Sequence, residues 1–344
     1  MELSSIEIYP ALNISFVNEI YQWGIEVIKI IQKIENPLLT TLVKIITEIG
    51  TDKFYLPVIL IIFWWLDEKQ GLRLGMLVII TAWINSYLKE LFKQPRPYNL
   101  DPSVGLAYEP TYGFPSGHAQ MSICFWIVFA DWLGKIWKKI NFKFWLLAIA
   151  MILIIGFSRL YLGVHFPTDV LAGWIAGLII LVVYFYPAPV LMEKYAIADF
   201  RVRNITVTIA ALIMNGLPGE KSLPAMFLGF GLGYNLLTHY YPCNTQADSK
   251  TKAHGKKSLS GVICILIGFL GLGVIYSVLR LMLPGEGSIF SEIPIWGDSS
   301  PFYDLGRFLR YGILGLWISA GAPLLFRRLG LVSVEGPDPD TNRA

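Results

Sequence analysis

Charged side chains are scarce in this chain. Asp, Glu, Lys and Arg together make up 15% of its 344 residues, whereas hydrophobic residues make up 54%. A water-soluble domain carries about 25% charged residues, because its surface faces water. The composition therefore excludes an ordinary soluble protein and predicts an integral membrane protein. The net charge of +3 is too small to indicate a nucleic-acid partner.

Cysteine is scarce as well, and metal-binding patterns are missing. Three cysteines build no disulfide framework, and Cys124 and Cys264 lie in apolar segments, where a free cysteine behaves as a small hydrophobic residue. The sequence contains neither a Cys-x-x-Cys nor a His-Glu-x-x-His pattern. We therefore expect no metal site and no cofactor.

Long apolar segments predict an all-α fold, a polytopic bundle of transmembrane helices. A membrane-spanning helix needs about 20 mostly apolar residues. Nine segments are candidates: 53–66, 71–92, 116–134, 144–162, 168–186, 204–218, 222–241, 258–283 and 304–326. Eight spans are the alternative, because the segment 204–218 is short. The glycine-rich run from Gly229 to Gly233 predicts close helix packing.

The first 50 residues differ from these apolar segments, because charged residues recur in them every few positions. We interpret residues 12–33 and 37–49 as amphipathic helices on the membrane surface. A membrane-spanning helix at 12–32 is the alternative. The predicted domains are these interfacial helices at 1–50, a core at 51–190, additional transmembrane helices at 191–330, and a disordered tail at 331–344.

The first motif places two cations near the end of the second predicted span. Lys89 lies in the last turns of that span, and Arg96 follows seven residues later, between Pro95 and Pro97. A cation inside a membrane is costly unless it is paired or lies at the rim. Because the prolines end the helix and turn the chain, the two cations can converge on one site.

The second motif starts the third predicted span with Pro115, Ser116, Gly117 and His118. Ser116 is a suitable N-cap, and Gly117 lets a ligand approach the backbone closely. A helix N-terminus with free N–H groups binds anions. His118 would then stand in the first helical turn, beside the anion.

The third motif joins the fourth and fifth predicted spans. Arg159 closes the fourth span, His165 lies in the connecting turn, and Asp169 follows Pro167 in the first turn of the fifth span. A carboxylate at this spacing could accept a hydrogen bond from one ring nitrogen of His165 and hold the other toward a substrate. An imidazole held in this way is an aimed nucleophile.

The spacing and order of the three motifs resemble the type 2 phosphatidic acid phosphatase superfamily, which includes lipid phosphate phosphatases, glucose-6-phosphatases and vanadium haloperoxidases. The resemblance implies that His165 attacks phosphorus and forms a phosphohistidine, and that Asp169 orients it. It also implies that His118 protonates the leaving oxygen, before water releases the phosphate. The phosphoryl oxygens would be held by Lys89, Arg96, Ser116, Gly117 and Arg159. Three cations with backbone donors can neutralise a transferring phosphoryl group without a metal.

The distribution of positive charge predicts which side of the membrane the motifs face. With all motifs on one side, the other side receives sixteen of the 28 Lys and Arg residues. They lie in the loops 67–73, 135–143, 191–203 and 242–257 and in the tail from residue 327. Loop 284–303, on the motif side, has three acidic residues and no Lys or Arg. Since positive loops favour the cytoplasm, we expect the motifs to face the periplasm, the exterior or an organelle lumen, from a plasma (inner) membrane or an endomembrane.

The substrate class stays open at this stage. The leading hypothesis is a phosphorylated lipid: phosphatidic acid, phosphatidylglycerol phosphate, a sphingoid phosphate or a polyprenyl pyrophosphate. A soluble sugar phosphate is the alternative, because the stretch 158–167 and the nine spans are also similar to glucose-6-phosphatase. Asp169, however, matches the lipid enzymes and is missing from the sugar-phosphate pattern.

Two further alternatives are a transferase that passes phosphate to another lipid and a non-enzymatic membrane protein such as a transporter. The predicted spans exclude a soluble haloperoxidase. The expected partners are the membrane and a phosphorylated lipid, without nucleic acid, and a homodimer is compatible with the sequence.

Overall fold

The structure is a computed structural model and describes residues 14–241, 258–284 and 301–332, together with Phe290 and Trp296. All regular secondary structure in these residues is helical. The loop 242–257, most of the loop 284–303 and the predicted tail from residue 333 onward lie outside the described residues.

The residues of the three motifs lie in the first eight described helices and in the connections between them. These are α1 (Ile14–Ile31), α2 (Pro37–Thr47), α3 (Asp52–Ile61), α4 (Glu68–Phe92), α5 (Pro97–Leu100), α6 (Gly117–Ile136), α7 (Asn141–Tyr161) and α8 (Pro167–Phe185). The helices described after them are α9 (Pro187–Ile197), α10 (Phe200–Gly216), α11 (Ser222–Tyr240), α12 (Ser258–Met282), α13 (Tyr303–Leu316) and α14 (Ala322–Arg328). A π-helical turn at Ile62–Leu66 extends α3, and another at Trp317–Gly321 joins α13 to α14.

Each of the nine predicted spans coincides with helical structure in the described residues. By length and composition, five helical segments of the described chain are able to cross a membrane. They are Glu68–Leu100, Lys138–Tyr161, Pro167–Phe185, Leu259–Met282 and Tyr303–Arg328. The fold is therefore an all-helical membrane fold, while the count of nine spans stays a prediction.

Helix α9 lies where the sequence led us to expect a loop, at 191–203. Pro187 begins this helix, a position where its missing N–H costs nothing, and alanine, leucine, methionine and lysine favour the helical turns that follow. The helix has 11 residues and contains Glu193 and Lys194. It is therefore too short and too polar to cross a membrane alone.

One compact unit consists of the described residues up to 58 and of residues 80–190, and it contains all three motifs. In it, α6 and α8 approach each other to backbone contact. A Cβ atom on Gly173 would lie 2.5 Å from the carbonyl oxygen of Ser116, and one on Gly177 would lie 2.9 Å from that of Gln120. The beginning of α6 is therefore held tightly against the first turns of α8.

Helices α1 and α2 belong to this unit and pack against its other segments. The rings of Tyr21 and Phe166 lie 4.9 Å apart, and Gln32 donates hydrogen bonds to the carbonyl oxygens of Val104 and Tyr161 at 2.9 and 2.8 Å. Other apolar side chains of these helices, including Trp23, are exposed. Such side chains suit the membrane surface, and the position of the two helices there stays a prediction.

The other compact unit consists of residues 59–79 and the described residues from 191 onward. Its helices α11 and α13 cross with their backbones in contact. A Cβ atom on Gly229 would overlap the carbonyl group of Gly312, and one on Gly315 would lie 2.6 Å from the backbone nitrogen of Phe230. The close helix packing predicted for the run from Gly229 is therefore confirmed. The predicted domain limits themselves stay a prediction.

Candidate active site

The fold brings the third motif together around an imidazole. His165 lies in the connection between α7 and α8, and its ring is completely buried. Its Nδ1 lies 3.3 Å from Oδ2 of Asp169, in the first turn of α8. The same oxygen accepts the backbone N–H of Phe166 at 2.9 Å, which fixes the carboxylate. The predicted pairing of His165 with Asp169 is thus present in the geometry.

The neighbours of His165 also define its tautomer. Its Nε2 lies 3.4 Å from Nη1 of Arg96, and an arginine can only donate. Nε2 therefore keeps its lone pair, and Nδ1 carries the proton that faces the carboxylate of Asp169. Burial, followed by the positive charges of Arg96, Arg159 and Lys89, holds the pKa of His165 well below its ordinary value. The ring is neutral, and the free lone pair of its Nε2 is directed toward Arg96.

Three cations, Lys89, Arg96 and Arg159, form the cationic side of the site, and Arg96 is its centre. Its guanidinium donates to the carbonyl oxygens of Thr111 at 2.6 Å, Val164 at 2.9 Å and Tyr112 at 3.2 Å, and to the hydroxyl of Thr111 at 3.0 Å. Arg96 is 1% exposed. These bonds fix the plane of the guanidinium beside His165 and leave it little freedom to turn.

Lys89 reaches the same place from the end of α4. Its Nζ donates to the hydroxyl of Thr111 at 3.0 Å and to the carbonyl oxygen of Tyr112 at 2.9 Å. Lys89 and Arg96 thus share Thr111 and Tyr112 as acceptors. The structure brings together the two cations of the first motif, as the turn at Pro95 to Pro97 leads one to expect.

Arg159 closes the cationic side from the last turn of α7. Its Nη1 donates to the hydroxyl of Thr47 at 2.9 Å, and its Nη2 pairs with Oε1 of Glu109. Its Nε, although buried, has no hydrogen-bond partner in the part of the chain that the structure describes. The guanidinium is therefore well placed, and it keeps an unused donor.

The second motif begins α6 beside these groups. Ser116 is buried, its hydroxyl accepts the N–H of Ala119 at 3.5 Å, and its own N–H donates to the carbonyl oxygen of Asp169 at 3.0 Å. The predicted N-cap is present, and it ties the second motif to the third. A Cβ atom on Gly117 would lie 2.8 Å from Oδ1 of Asn85, so only glycine fits there without displacing a neighbour.

His118 follows in the first turn of α6 and is partly buried. It packs against the short 3₁₀ turn Glu48–Gly50, where a Cβ atom on Gly50 would lie 2.9 Å from Cδ2 of the imidazole. The charge of His118 is among those that lower the pKa of His165, after burial and the three cations. The two imidazoles are therefore close enough to interact electrostatically.

Sequence reasoning missed three residues of the site. Thr47 contacts Arg159 from the N-terminal helices, Thr111 binds both Lys89 and Arg96, and Glu109 pairs with both arginines. The two threonines carry no sequence signal. Glu109 does carry one, because it is the one acidic residue between Asp101 and Asp131 in the printed sequence. No group of three or more His, Cys, Asp or Glu residues in the described ranges could hold a metal ion.

Two family models match the chain. The model described as "PAP2 superfamily" matches residues 70–191, and the model described as "PAP2 superfamily phosphatase, transmembrane extension" matches residues 222–334. The first of these ranges contains all the motif residues described above. The second contains all four described helices that follow α10, from α11 to α14.

Several characterised proteins are similar to this chain. Phosphatidylglycerophosphatase B of Bacillus subtilis is 34% identical over 154 residues, which cover 43% of this chain and 74% of that protein. Undecaprenyl-diphosphatase of Sulfolobus acidocaldarius is 28% identical over 162 residues, which cover 45% of this chain and 73% of that protein. Sphingosine-1-phosphate phosphatase 1 of Mus musculus is 28% identical over 193 residues, which cover 54% of this chain and 41% of that protein.

Proposed function

The chain belongs to the PAP2 superfamily, and we propose that it hydrolyses a lipid phosphate monoester or pyrophosphate through a phosphohistidine on His165. The observation that carries this proposal is the arrangement around one buried imidazole. Nδ1 of His165 faces Asp169, while Nε2 keeps its lone pair and faces Arg96. A neutral imidazole held on one side by a carboxylate is an activated nucleophile.

The reaction has two steps. In the first, the Nε2 lone pair of His165 forms a bond to phosphorus while the bond between phosphorus and the leaving oxygen breaks, and His118 gives a proton to that oxygen. In the second, water attacks phosphorus, His118 takes up a proton of the water, and the bond between phosphorus and nitrogen breaks. Inorganic phosphate leaves, and both histidines return to their starting state.

The cations hold the phosphoryl group. Lys89, Arg96 and Arg159 converge beside His165 from three different segments of the chain, and the N-terminus of α6 adds backbone N–H groups. Phosphoryl transfer depends mainly on positioning and on neutralising the charge of the phosphoryl oxygens. These groups supply that neutralisation, and the reaction proceeds without a metal ion.

Three observations support a lipid as the substrate. The chain is a multi-pass membrane protein, and its relatives include proteins named for phosphatidylglycerophosphate, undecaprenyl diphosphate and sphingosine 1-phosphate. Asp169, which matches the lipid enzymes, also stands in contact with His165.

The active site faces the non-cytoplasmic side of the membrane. This part of the proposal is supported by the excess of Lys and Arg in the loops on the other side. A reporter fused into the loop 284–303 tests it. A reporter active outside the cytoplasm agrees with the proposed topology, and a cytoplasmic reporter overturns it.

The function is tested by phosphate release from purified protein in detergent with EDTA, over a panel of lipid and sugar phosphates. His165→Ala is measured in parallel, and His239→Ala serves as the control, because His239 stacks on Phe200 in the other compact unit. We expect release from a lipid phosphate that disappears in His165→Ala and persists in His239→Ala.

The other outcomes of this experiment count against parts of the proposal. Release from sugar phosphates alone overturns the lipid assignment and keeps the nucleophile. Phosphate recovered on a second lipid makes the protein a transferase. Loss of activity in EDTA that magnesium restores contradicts the metal-free mechanism. Equal release by wild type and His165→Ala removes His165 as the nucleophile.

A further inference from the structure

The carboxylate of Glu109 joins two of the three cations that the proposed reaction uses. Its Oε2 lies 2.9 Å from Nη2 of Arg96, and its Oε1 pairs with Nη2 of Arg159. Two oxygens on one central atom therefore bridge two guanidinium groups. A phosphoryl group would present its oxygens to the same donors in the same way, because arginine binds carboxylate and phosphate with similar fork geometry.

The charges explain why the carboxylate is held there. The side chains of Arg96 and Arg159 are 1% and 2% exposed, and buried charges without a partner are strongly unfavourable. Asp169 is directed to His165 and to the N–H of Phe166, and among the residues that the structure describes the ion-pair partner of both arginines is Glu109. Glu109 is the carboxylate that both arginines contact.

The backbone of Glu109 is fixed, whereas its side chain reaches solvent. The hydroxyl of Tyr98 donates to the carbonyl oxygen of Glu109 at 2.8 Å and accepts its N–H at 3.2 Å. The side chain is 26% exposed, far more than either arginine. The carboxylate can therefore leave the arginines by side-chain rotation toward solvent, while the backbone stays anchored and keeps it within reach.

We propose that Glu109 is an internal competitor of phosphate, whose carboxylate occupies the arginine pair and is displaced by the phosphoryl group of the substrate. The proposal rests on the proposed function in one respect, namely that phosphate is the ligand of these cations. Glu109 touches no reacting atom in this scheme and is a positioning residue. It weakens the binding of substrate phosphate, and it equally weakens the binding of inorganic phosphate, which favours product release.

This role and a purely structural role predict opposite effects of Glu109→Gln. If Glu109 only held the arginines in place, its loss would disorder them and weaken phosphate binding. As a competitor, its loss removes the anion that phosphate has to displace. We expect the dissociation constant of inorganic phosphate to fall about tenfold, the effect of about 1.4 kcal/mol in binding free energy.

The experiment is a calorimetric titration of the purified full chain with inorganic phosphate at constant ionic strength. It compares wild type, Glu109→Gln and Asp101→Asn. Asp101 is a matched control, since it precedes the same loop and pairs with Lys29 at 2.7 Å, away from the arginines. We expect tighter binding in Glu109→Gln and an unchanged constant in Asp101→Asn. Glu109→Asp provides a second variant if the first one unfolds. Its shorter side chain bridges the arginines less well, so it should also lower the dissociation constant of inorganic phosphate.

The outcomes separate this inference from the proposed function, because the titration needs no turnover. Tighter phosphate binding in Glu109→Gln supports the competitor even if no lipid phosphate is hydrolysed. Unchanged or weaker binding overturns it even if wild type is an active lipid phosphatase. In active protein, we further expect KM and the inhibition constant of phosphate to fall together. A raised KM in Glu109→Gln contradicts the inference.

Discussion

The carboxylate of Asp169 and the imidazole of His165 lie 3.3 Å apart at the N-terminus of α8, and both are buried. Pro167 starts this helix, and the N–H of Phe166 binds the same carboxylate oxygen at 2.9 Å. The cap of the helix is therefore also the group that contacts the imidazole. A substitution at Asp169 therefore affects both the cap of α8 and the position of the imidazole. Its effect on kcat and its effect on stability are measured separately.

We expect Asp169→Asn to lower kcat by about a thousandfold with little change in KM. An amide group can donate to Nδ1 and favour the tautomer that carries its proton on Nε2, as the corresponding change does in a serine protease triad. Steady-state phosphate release measures the effect. Asp131→Asn is the control, because Asp131 pairs with Lys135 at the far end of α6, and it should keep the wild-type rate. An Asp169→Asn variant with wild-type kcat would exclude the orienting role.

The proposed role of His118 as the proton donor predicts a dependence on the leaving group. His118→Ala should slow the hydrolysis of an alkyl phosphate by about 10²- to 10⁴-fold, the usual size of general acid catalysis. With nitrophenyl phosphate, whose leaving oxygen needs no proton, the loss should be less than about tenfold. The ratio of the two rates in wild type and variant is the measurement. An equal loss with both substrates would assign His118 another role.

The lowered pKa of His165 predicts its state near neutral pH. A lowered pKa means that the charged form is disfavoured, so the ring takes up a proton only well below the ordinary imidazole value of about 6.5. At about pH 6 the ring should be neutral, with its proton on Nδ1. Nitrogen NMR can test this, since the chain has four histidines and His165→Gln assigns the signal by its loss. Titration of His165 at pH 6.5 or above contradicts the prediction.

Gly163 predicts a stability effect next to the site. It has a φ of +65°, and a Cβ atom there would overlap the carbonyl oxygen of Val104. Gly163→Ala should therefore lower the free energy of unfolding by at least about 1 kcal/mol. Gly273→Ala is the control. Gly273 lies within α12, and apart from the backbone of its own helix no described group lies within 4 Å of an added Cβ, so the change should leave the melting temperature unchanged or raise it. Equal melting temperatures of the two variants would contradict the argument.

Much of the fold was predictable from local patterns. Apolar segments and prolines mark the helices that the structure contains, because helix formation depends on residues close in sequence. The short helix α9 was missed because its charged residues made it look like a loop. The run from Gly229 was predicted to pack helices closely, and the backbone contact of Gly229 with Gly312 confirms it.

The sequence by itself determined the cations, the two imidazoles and the carboxylate of the three motifs, because these residues stand at fixed spacings. Only the tertiary structure decided which of them touch. Thr47 reaches Arg159 across 112 positions, and Glu109 reaches it across 50. Contacts over such separations depend on how α2, α7 and the loop before α6 pack against one another. No local pattern encodes that packing, because each of these segments would be a helix or a turn wherever the fold placed it.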